Sequence, residues 1–482
     1  MAYREVHVGL NPRAMEIDSG EKRLNELGYK QELRREMSLF KTFAITFSTM
    51  ALFIGTPLYG PSLLYAGPAS LIWGYVPVTF FTWFVGFAMA EICSSFPTTG
   101  SLYFWAAHLA GPRWGPFASW CCAWLETMGA QTLQMIILLS TGTNKGGGYF
   151  APRSVFLFMY IGLIIIWAVL NSFALQVIAF LNVISVWWQV MQVIGGFVVI
   201  IGLPLVARTT QSASYVFTHF ETSPEATGIH SKPYAVILSE TKGADKTGPM
   251  AILSSIGVIS TFGWAYILSL TFSIQDPAYL YDPNNETGGA LVPAQIIYDA
   301  FYRRYHSGTG AIIFLCIIWG TFFFCGLSVI TGAARVVYAL SRDGGIPFSP
   351  IWRKIHPKHK VPINAVWLFF TAILSISTVG WVGSYAIPIF ARLVMDEKNF
   401  RPGPFYLGRA SKPVCLISFL YICYTCSIFL LPTLYPLRWD TFNYAPVAVG
   451  VALALILLWW VLDASKWFKG PVRNIEVHNG SV

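Results

Sequence analysis

The chain alternates between long apolar runs and short polar connections. A helix rises about 1.5 Å per residue and the hydrocarbon core of a bilayer is about 30 Å thick, so a crossing needs about 20 apolar residues. Runs of that length lie near residues 42–65, 69–92, 115–140, 154–174, 177–206, 250–275, 312–340, 412–435 and 444–463. The runs are long and do not alternate as membrane-spanning strands do, so the pattern predicts an all-α, polytopic membrane helix bundle.

A further run, residues 361–395, is ambiguous. As one helix it would measure about 52 Å, which is too long for one crossing. Two crossings would have only about 16 residues each. Gly380 and Gly383 lie within the run, and we expect a break between two short passes to fall there.

The composition agrees with a membrane protein. The 482 residues are 55 % hydrophobic and 11 % charged, against about 25 % charged residues in an average soluble domain. A soluble protein could not cover so much apolar surface with so few charges. The net charge of +9 does not indicate a nucleic-acid partner, because the cations cluster in short loops beside apolar runs, as residues that set membrane topology do.

The loop charges predict an orientation that the count of spans does not satisfy. Residues 341–360 and 396–412 are rich in Lys and Arg, so both loops should be cytosolic, as should the polar tail 1–41. Five spans after that tail place residue 207 outside, and two more spans place residue 341 outside as well. One crossing is therefore missing between residues 207 and 250, or one half of the chain is inverted.

A glycosylation sequon, Asn285-Glu286-Thr287, lies in the loop 276–311. A sequon has meaning only on the lumenal or extracellular face. Asn285 is thus a candidate glycosylation site. A location of Asn285 outside the cytosol agrees with a cytosolic residue 341, because one span separates the two residues.

The first span contains a cluster of helix-breaking residues, Gly55 and Gly60 with Pro57 and Pro61. Proline cannot donate to the carbonyl four residues earlier, and glycine loosens the turn. Two readings remain open: a kink that neighbouring helices satisfy, or a broken helix whose free backbone groups form an ion or substrate site.

Four ionisable residues are candidates for coupling or gating. Glu126 lies in the middle of an apolar run, where a carboxylate must be protonated, paired or hydrated; the alternative is a neutral Glu packed against another helix. Glu91 ends the second span, where pairing or capping is the alternative role. Arg335 and Asp343 lie at the cytosolic end of the span 312–340, as a gate latch or, for Arg335, as a side chain that reaches the headgroups.

The chemistry of an enzyme is missing from the sequence. The eight His residues form no iron-binding clusters, and no nucleophile elbow, phosphate-binding loop or zinc-protease motif occurs. The eight Cys residues have no metal-type spacing, and we expect buried free thiols. We therefore expect no enzyme activity, no cofactor and no metal.

Ordered motifs give the chain a recognisable resemblance. They are residues 19–29 (SGEKRLNELGY), 90–100 (AEICSSFPTTG), 109–114 (LAGPRW), 335–344 (RVVYALSRDG) and 361–367 (VPINAVW). In these motifs, and over most of residues 18–472, the chain resembles the amino acid–polyamine–organocation superfamily, within it the plant bidirectional amino-acid transporters and related GABA permeases.

The resemblance implies a twelve-helix transporter with a five-plus-five inverted repeat, whose first and sixth helices are unwound in mid-membrane and bind substrate. By position, the substrate-binding candidates are Gly55, Thr56, Pro57, Leu58, Tyr59 and Gln131. The implied partners are an amino acid or GABA, a coupling proton and the lipid bilayer.

The chain departs from this family in several places. Pro57 replaces a residue with an N–H, Ser101 replaces a glycine, and Glu126 lies where a neutral polar residue is usual. Only Val236-Ile237-Leu238 joins segments that flank a full sixth helix in relatives, so about twenty residues, one membrane crossing, are expected to be missing. We expect ten or at most eleven spans.

The predicted organisation follows. Residues 1–41 and 464–482 are cytosolic tails, and 42–463 form the transporter, with a first repeat at 42–206, an incomplete second repeat at 232–395 and two further helices at 412–463. The predicted function is secondary active transport of amino acids or GABA across the plasma membrane or an endomembrane. The alternative is a transport-deficient truncated paralogue or splice form.

Overall fold

A computed structural model describes the larger part of the chain. The described residues are 53, 56–96, 101–110, 116–118, 138–143, 145–149, 152–172, 175–207, 209–220, 249–344, 349–355, 363–364, 366, 378–394, 400, 402–431, 438 and 445–468. Within these ranges the regular structure is helical and contains no strand. The predicted fold class is confirmed.

Twelve α-helices follow one another in the described ranges. They are α1 (Thr56–Ser95), α2 (Ser101–Leu109), α3 (Arg153–Ser172), α4 (Leu175–Val206), α5 (Ala213–Thr218), α6 (Pro249–Phe272), α7 (Val292–Tyr305), α8 (Thr309–Arg342), α9 (Ser349–Trp352), α10 (Thr378–Val394), α11 (Ser411–Phe429) and α12 (Ala445–Trp459), which runs on through Trp460–Ala464 and Ser465–Trp467.

Helix α1 is two helices joined at a glycine. Gly67 has φ 76° and ψ 179°, a backbone conformation that interrupts the helix and that glycine adopts without strain. The residues after it are held by the segment that contains α5, because Ala69 donates its N–H to the carbonyl of His219 and Trp73 donates its indole N–H to that of Phe217. The break separates the two apolar runs that the sequence predicts as the first and second spans.

Five helical segments in the described residues are long and apolar enough to cross a membrane. They are Tyr59–Ser95, Ile252–Phe272, Thr309–Ser328, Gly408–Ile428 and Val449–Trp467. Large apolar side chains cover the outside of several helices; on α4 these include Trp187, Met191, Phe197 and Leu205. Such a surface is stable only in lipid, so the protein is an integral, multi-pass membrane protein.

Helix α1 connects two separate apolar cores. Its beginning joins α6 and α7 in one core, which includes Tyr59, Tyr266 and Ile297. Its end joins α2, α10 and α11 in another core, which includes Ile92 and Ile389. The polar groups of the candidate site lie in these two places.

The expected break at Gly380 and Gly383 is wrong. Both glycines lie inside α10, which begins at Thr378 and continues without interruption to Val394. Two helical glycines cost only about 1 kcal/mol each, which packing against α11 offsets. The junction near Leu238 lies outside the described residues, as does most of the first of the two short passes expected in the run 361–395.

Candidate functional site

The first polar group lies at the beginning of α1, inside the bundle. Thr56 is fully buried, and its N–H and hydroxyl both bond to the carbonyl of Phe53, at 3.0 and 2.7 Å. Pro57 stands in the first turn, where its missing N–H costs no intrahelical bond. A helix that begins within the bundle presents first-turn N–H groups and the positive end of its dipole to the protein interior.

Hydroxyl groups from α6 complete this group. The Tyr266 hydroxyl lies 3.1 Å from the Thr56 hydroxyl, and the Tyr59 hydroxyl lies 2.9 Å from that of Thr271. The rings of Phe53 and Tyr266 pack edge to face, with 4.9 Å between their centres. We call Thr56, Tyr59, Tyr266 and Thr271 the hydroxyl network; it is buried, polar and without a charge.

The loop before α7 closes over the hydroxyl network. Tyr281 donates its hydroxyl to the Gly60 carbonyl at 2.8 Å. A methyl group at Gly60 would lie 2.8 Å from Cγ2 of Val292, so glycine is needed for this approach of α7 to α1. Access to the network from this side therefore requires the loop or α7 to move.

The second polar group lies at the other end of α1. Ser411 donates its hydroxyl to Glu91 Oε1 at 2.6 Å, and Arg392 Nη2 lies 3.0 Å from the Ser411 oxygen and 3.5 Å from Glu91 Oε1. The Arg392 guanidinium stacks on the ring of Phe400, 3.9 Å from its centre. We call Glu91, Arg392 and Ser411 the charged network; all three side chains are buried.

The charged network is only partly satisfied. Glu91 Oε2 and Arg392 Nε are buried and have no hydrogen-bond partner among the described residues. Removing one partner of a buried ion pair leaves an uncompensated charge and typically costs about 3–5 kcal/mol. The network therefore ties the end of α1 firmly to α10 and α11.

Two serines of α1 bind the segment that leads into α11. Ser95 accepts the N–H of Gly403 at 3.1 Å, and Ser94 accepts that of Phe405 at 2.8 Å. A methyl group at Gly403 would lie 2.2 Å from the Ser94 carbonyl oxygen. The charged network and these serines together fix the connection between α10 and α11 to α1.

The predicted site residues are distributed between these groups. Thr56 and Tyr59 belong to the hydroxyl network, and Pro57 and Leu58 lie in the first turn of α1, with side chains outside the described part. Glu91 belongs to the charged network. Gly55, Gln131 and Glu126 lie outside the described residues, as does the side chain of Arg335 on α8.

Asp343 lies apart from the charged network, at the end of α8. Its carboxylate pairs with the neighbouring Arg342, with Nε 3.0 Å from Oδ1, and its N–H bonds to the Ala339 carbonyl. Asp343 thus closes the last turn of α8, which is compatible with the predicted latch.

The structure adds residues that the sequence prediction does not name. Tyr266 and Thr271 are polar positions in the run 250–275, and Arg392 is the cation within the run 361–395. An intramembrane charge is a functional candidate by default, so Arg392 could have been selected on that ground. Pairing it with Glu91 requires the fold, because 301 positions separate the two residues.

Asn285, the predicted glycosylation site, is fully buried. Its amide donates to the carbonyls of Tyr279 and Leu280, at 2.9 and 3.1 Å, and its oxygen accepts from Thr287 and Gly289. A glycan on this nitrogen has no room in the fold. The side chain organises the turn before α7, and this geometry argues against the glycosylation hypothesis.

The loop that contains Asn285 carries a third set of charges. Glu286 accepts from Tyr279 and Gln295, and Lys145 approaches it at 3.5 Å. Burial works to raise the pKa of Glu286, but these partners outweigh it and the pKa is lowered. Burial raises the pKa of Asp299 on α7 to about 6, although Gln295 donates to this carboxylate.

Metal ligands are not grouped in the described part of the chain. There, no three His, Cys, Asp or Glu side chains lie close enough to hold a metal ion. Six cysteines in that part are free thiols.

Comparisons with known proteins find similar sequences along most of the chain. A family model described as amino acid permease matches residues 37–453. The chain is 42 % identical to the amino-acid permease BAT1 homolog of Oryza sativa subsp. japonica, over 95 % of this chain and 96 % of the relative. It is 40 % identical to the amino-acid permease BAT1 of Arabidopsis thaliana, over 95 % and 97 %.

More distant relatives and the alignment lengths add two facts. An uncharacterized amino-acid permease of Schizosaccharomyces pombe is 26 % identical, over 95 % of this chain and 88 % of the relative. The alignments with the two plant proteins extend over 508 and 509 positions, more than the 482 residues of this chain. Both plant relatives therefore contain residues that have no counterpart here.

Proposed function

This chain belongs to the amino acid permease family and is a membrane transporter of amino acids rather than an enzyme, and from its structure we propose that the substrate binds at the hydroxyl network. The observation that carries this proposal is the start of α1 at Thr56, inside the bundle and in contact with the Tyr266 hydroxyl.

The chemistry of this place suits both charged ends of an amino acid. The Thr56 N–H is bonded to the Phe53 carbonyl, and Pro57 has no N–H. The N–H groups of Leu58 and Tyr59, together with the helix dipole, therefore favour the carboxylate. The hydroxyl oxygens of Thr56, Tyr59, Tyr266 and Thr271 can accept hydrogen bonds from the ammonium group. The hydroxyls now bond in pairs, so substrate binding exchanges one set of hydrogen bonds for another at small net cost.

The charged network serves as the gate on the opposite side. The basic loop 396–412 favours a cytosolic location for Ser411 and for the end of α1. Separation of α1 from α10 and α11 would break the contacts of Glu91 with Arg392 and Ser411. This network therefore holds the cytosolic side closed, and the latch at Arg335 and Asp343 lies on the same side.

The proposal extends to topology, membrane, substrate and coupling. Both termini are cytosolic, the protein lies in the plasma membrane or an endomembrane, and GABA is a substrate candidate beside the α-amino acids. Glu126 is the candidate carrier of a coupling proton.

The additional residues of the plant relatives fall between the positions of Leu238 and Ser239 in this chain. Reading the transcript across the codons for these two residues tests that position.

Uptake by the purified chain in liposomes tests the proposed site. A panel of radiolabelled amino acids and GABA should identify a substrate. Thr56→Val should abolish most of its uptake, because valine keeps the size of the side chain but removes its hydroxyl from the network. Thr425→Val is the matched control, since this buried hydroxyl donates to the Tyr421 carbonyl of its own helix, α11. Equal uptake by the two variants would refute the proposed site.

A further inference from the structure

A cavity of about 320 Å³ opens on the loop side of the protein. It is lined by Thr209, Gln275, Tyr302, Arg303 and His306. Thr209 follows α4, Gln275 follows α6 and the other three come from the end of α7, so the cavity lies where three helices end. None of these residues belongs to the hydroxyl network or to the charged network.

Arg303 gives the cavity an exposed positive charge, which also works to lower the pKa of Asp299 one turn earlier on α7, against the larger effect of burial. No carboxylate in the described part of the chain forms an ion pair with Arg303. The adjacent Arg304 is used differently: it donates to the Leu205 carbonyl and its guanidinium lies 5.7 Å from the centre of the Tyr305 ring. Arg304 therefore anchors α7 to α4, whereas Arg303 makes no such contact in the described part and its guanidinium is exposed to a ligand.

The nearby carboxylates are directed elsewhere. Asp276 Oδ1 accepts the backbone N–H groups of Ala278 and Tyr279, at 3.1 and 3.4 Å. Asp299, one turn before Arg303 on α7, accepts from Gln295 at 2.9 Å. Arg303 acts on Asp299 only through space, and in the described part neither carboxylate forms an ion pair with it. A ligand carboxylate at Arg303 thus does not have to break an ion pair.

The walls of the cavity are held in place by the protein. The Thr209 hydroxyl donates to Gln275 Oε1 at 2.8 Å, and Gln275 Nε2 donates to the Thr209 carbonyl at 2.6 Å. The Tyr302 ring stacks on Tyr298, with centres 5.4 Å apart and planes at 14°. His306 ends α7 with φ 52° and donates its N–H to the Tyr302 carbonyl.

We propose that this cavity is a second amino-acid site, in which Arg303 binds the substrate carboxylate and the Tyr302 ring faces the ammonium group. A guanidinium binds a carboxylate through charge-assisted hydrogen bonds, and an aromatic face attracts a cation. The volume is in the range of small-molecule sites. In the orientation proposed above the cavity lies on the non-cytosolic side, and the site captures substrate before it reaches the hydroxyl network.

The proposal rests on the transport function, and a kinetic split tests it. Arg303→Gln should raise the KM of uptake by about fivefold, the size expected for an exposed charge pair, and leave kcat unchanged. Arg353→Gln removes an exposed cation after α9 and should leave both constants unchanged. Unchanged KM in Arg303→Gln would overturn the proposal, as would a KM that rises equally in Arg353→Gln.

A labelling experiment tests the cavity without relying on transport. Thr209→Cys is reacted with a bulky maleimide in nanodiscs, and modification of residue 209 is followed by mass spectrometry. L-alanine and GABA should each slow the reaction, ethylamine should not, and Arg303→Gln should remove the protection. Protection by inorganic phosphate alone, or none at all, would overturn the proposal. Failed uptake with intact protection would count against the transport proposal only.

Discussion

The two ends of α1 hold polar groups of opposite character. At the beginning, Thr56 and Tyr59 bond to hydroxyls of α6, and the network has no charge. At the end, Glu91 meets Arg392 and Ser411, and the network contains a buried ion pair with unsatisfied atoms. The same helix thus carries one network that can be rearranged and one that resists rearrangement.

The difference in energy gives the two ends different roles. A neutral hydrogen bond contributes about 0.5–1.5 kcal/mol net, so a substrate can compete for the hydroxyl network. Loss of one partner of a buried ion pair costs about 3–5 kcal/mol. The charged network is therefore suited to hold two parts of the bundle together until a larger change separates them.

The largest effect is expected from breaking the charged network on one side only. Arg392→Met should lower the free energy of unfolding by about 3–5 kcal/mol, because Glu91 keeps a buried charge without its partner. Thermal unfolding in detergent measures the loss. The double variant Glu91→Met with Arg392→Met should recover much of it, and a double variant less stable than both single ones would contradict the account.

A smaller loss of stability is expected at the crossing of α1 and α7. Gly60→Ala places a methyl group 2.8 Å from Val292 Cγ2, and overpacking of this kind costs about 1–3 kcal/mol. Val292→Ala in the same chain should restore part of the stability, as measured by thermal unfolding. Identical losses in the single and double variants would exclude close contact at this position.

The pH dependence of stability is expected to contain a contribution from Asp299. Its pKa is raised from 3.8 to about 6, so the fold favours the protonated form. Stability should fall as pH rises from about 4 to 6, by at most about 3 kcal/mol. The difference between wild type and Asp299→Asn isolates this contribution from that of Glu286, whose lowered pKa acts oppositely. If the difference in free energy of unfolding between the two proteins does not vary over this pH range, the assigned contribution of Asp299 is contradicted.

No change in mass is expected on treatment with a glycosidase. Asn285 is buried with both of its amide atoms bonded, so protein from a eukaryotic host should carry no glycan there. Intact-mass measurement before and after digestion gives the answer. A shift that Asn285→Gln abolishes would show that the sequon is used and that the loop differs from this structure.

The sequence predicts local features of the two ends but not their partners. The lengths of the apolar runs locate the boundary between the first two spans, and prolines and glycines cluster near Thr56, where α1 begins. The structure shows the hydrogen-bond partners of the two ends: Tyr266 lies 210 positions from Thr56, and Ser411 lies 320 positions from Glu91. Such pairings depend on how helices pack, which no local pattern encodes.

The error at Gly380 and Gly383 has an equally physical cause. Both are weak helix formers, but a helix packed on α11 tolerates them inside α10. The sequon at Asn285 stays a prediction; it is a local motif whose amide bonds within the turn that the same residues form. A local signal is read correctly only together with the contacts that the fold adds.

Uptake kinetics of Tyr266→Phe test most directly the claim that substrate binds at the beginning of α1. The variant removes one oxygen from the hydroxyl network, and Tyr421→Phe removes the same atom from α11, where the hydroxyl bonds to the Val78 carbonyl at 3.5 Å. The account predicts that Tyr266→Phe raises the KM of uptake about tenfold, equivalent to 1.4 kcal/mol of lost binding, with Tyr421→Phe unchanged. Wild-type kinetics in Tyr266→Phe would contradict it.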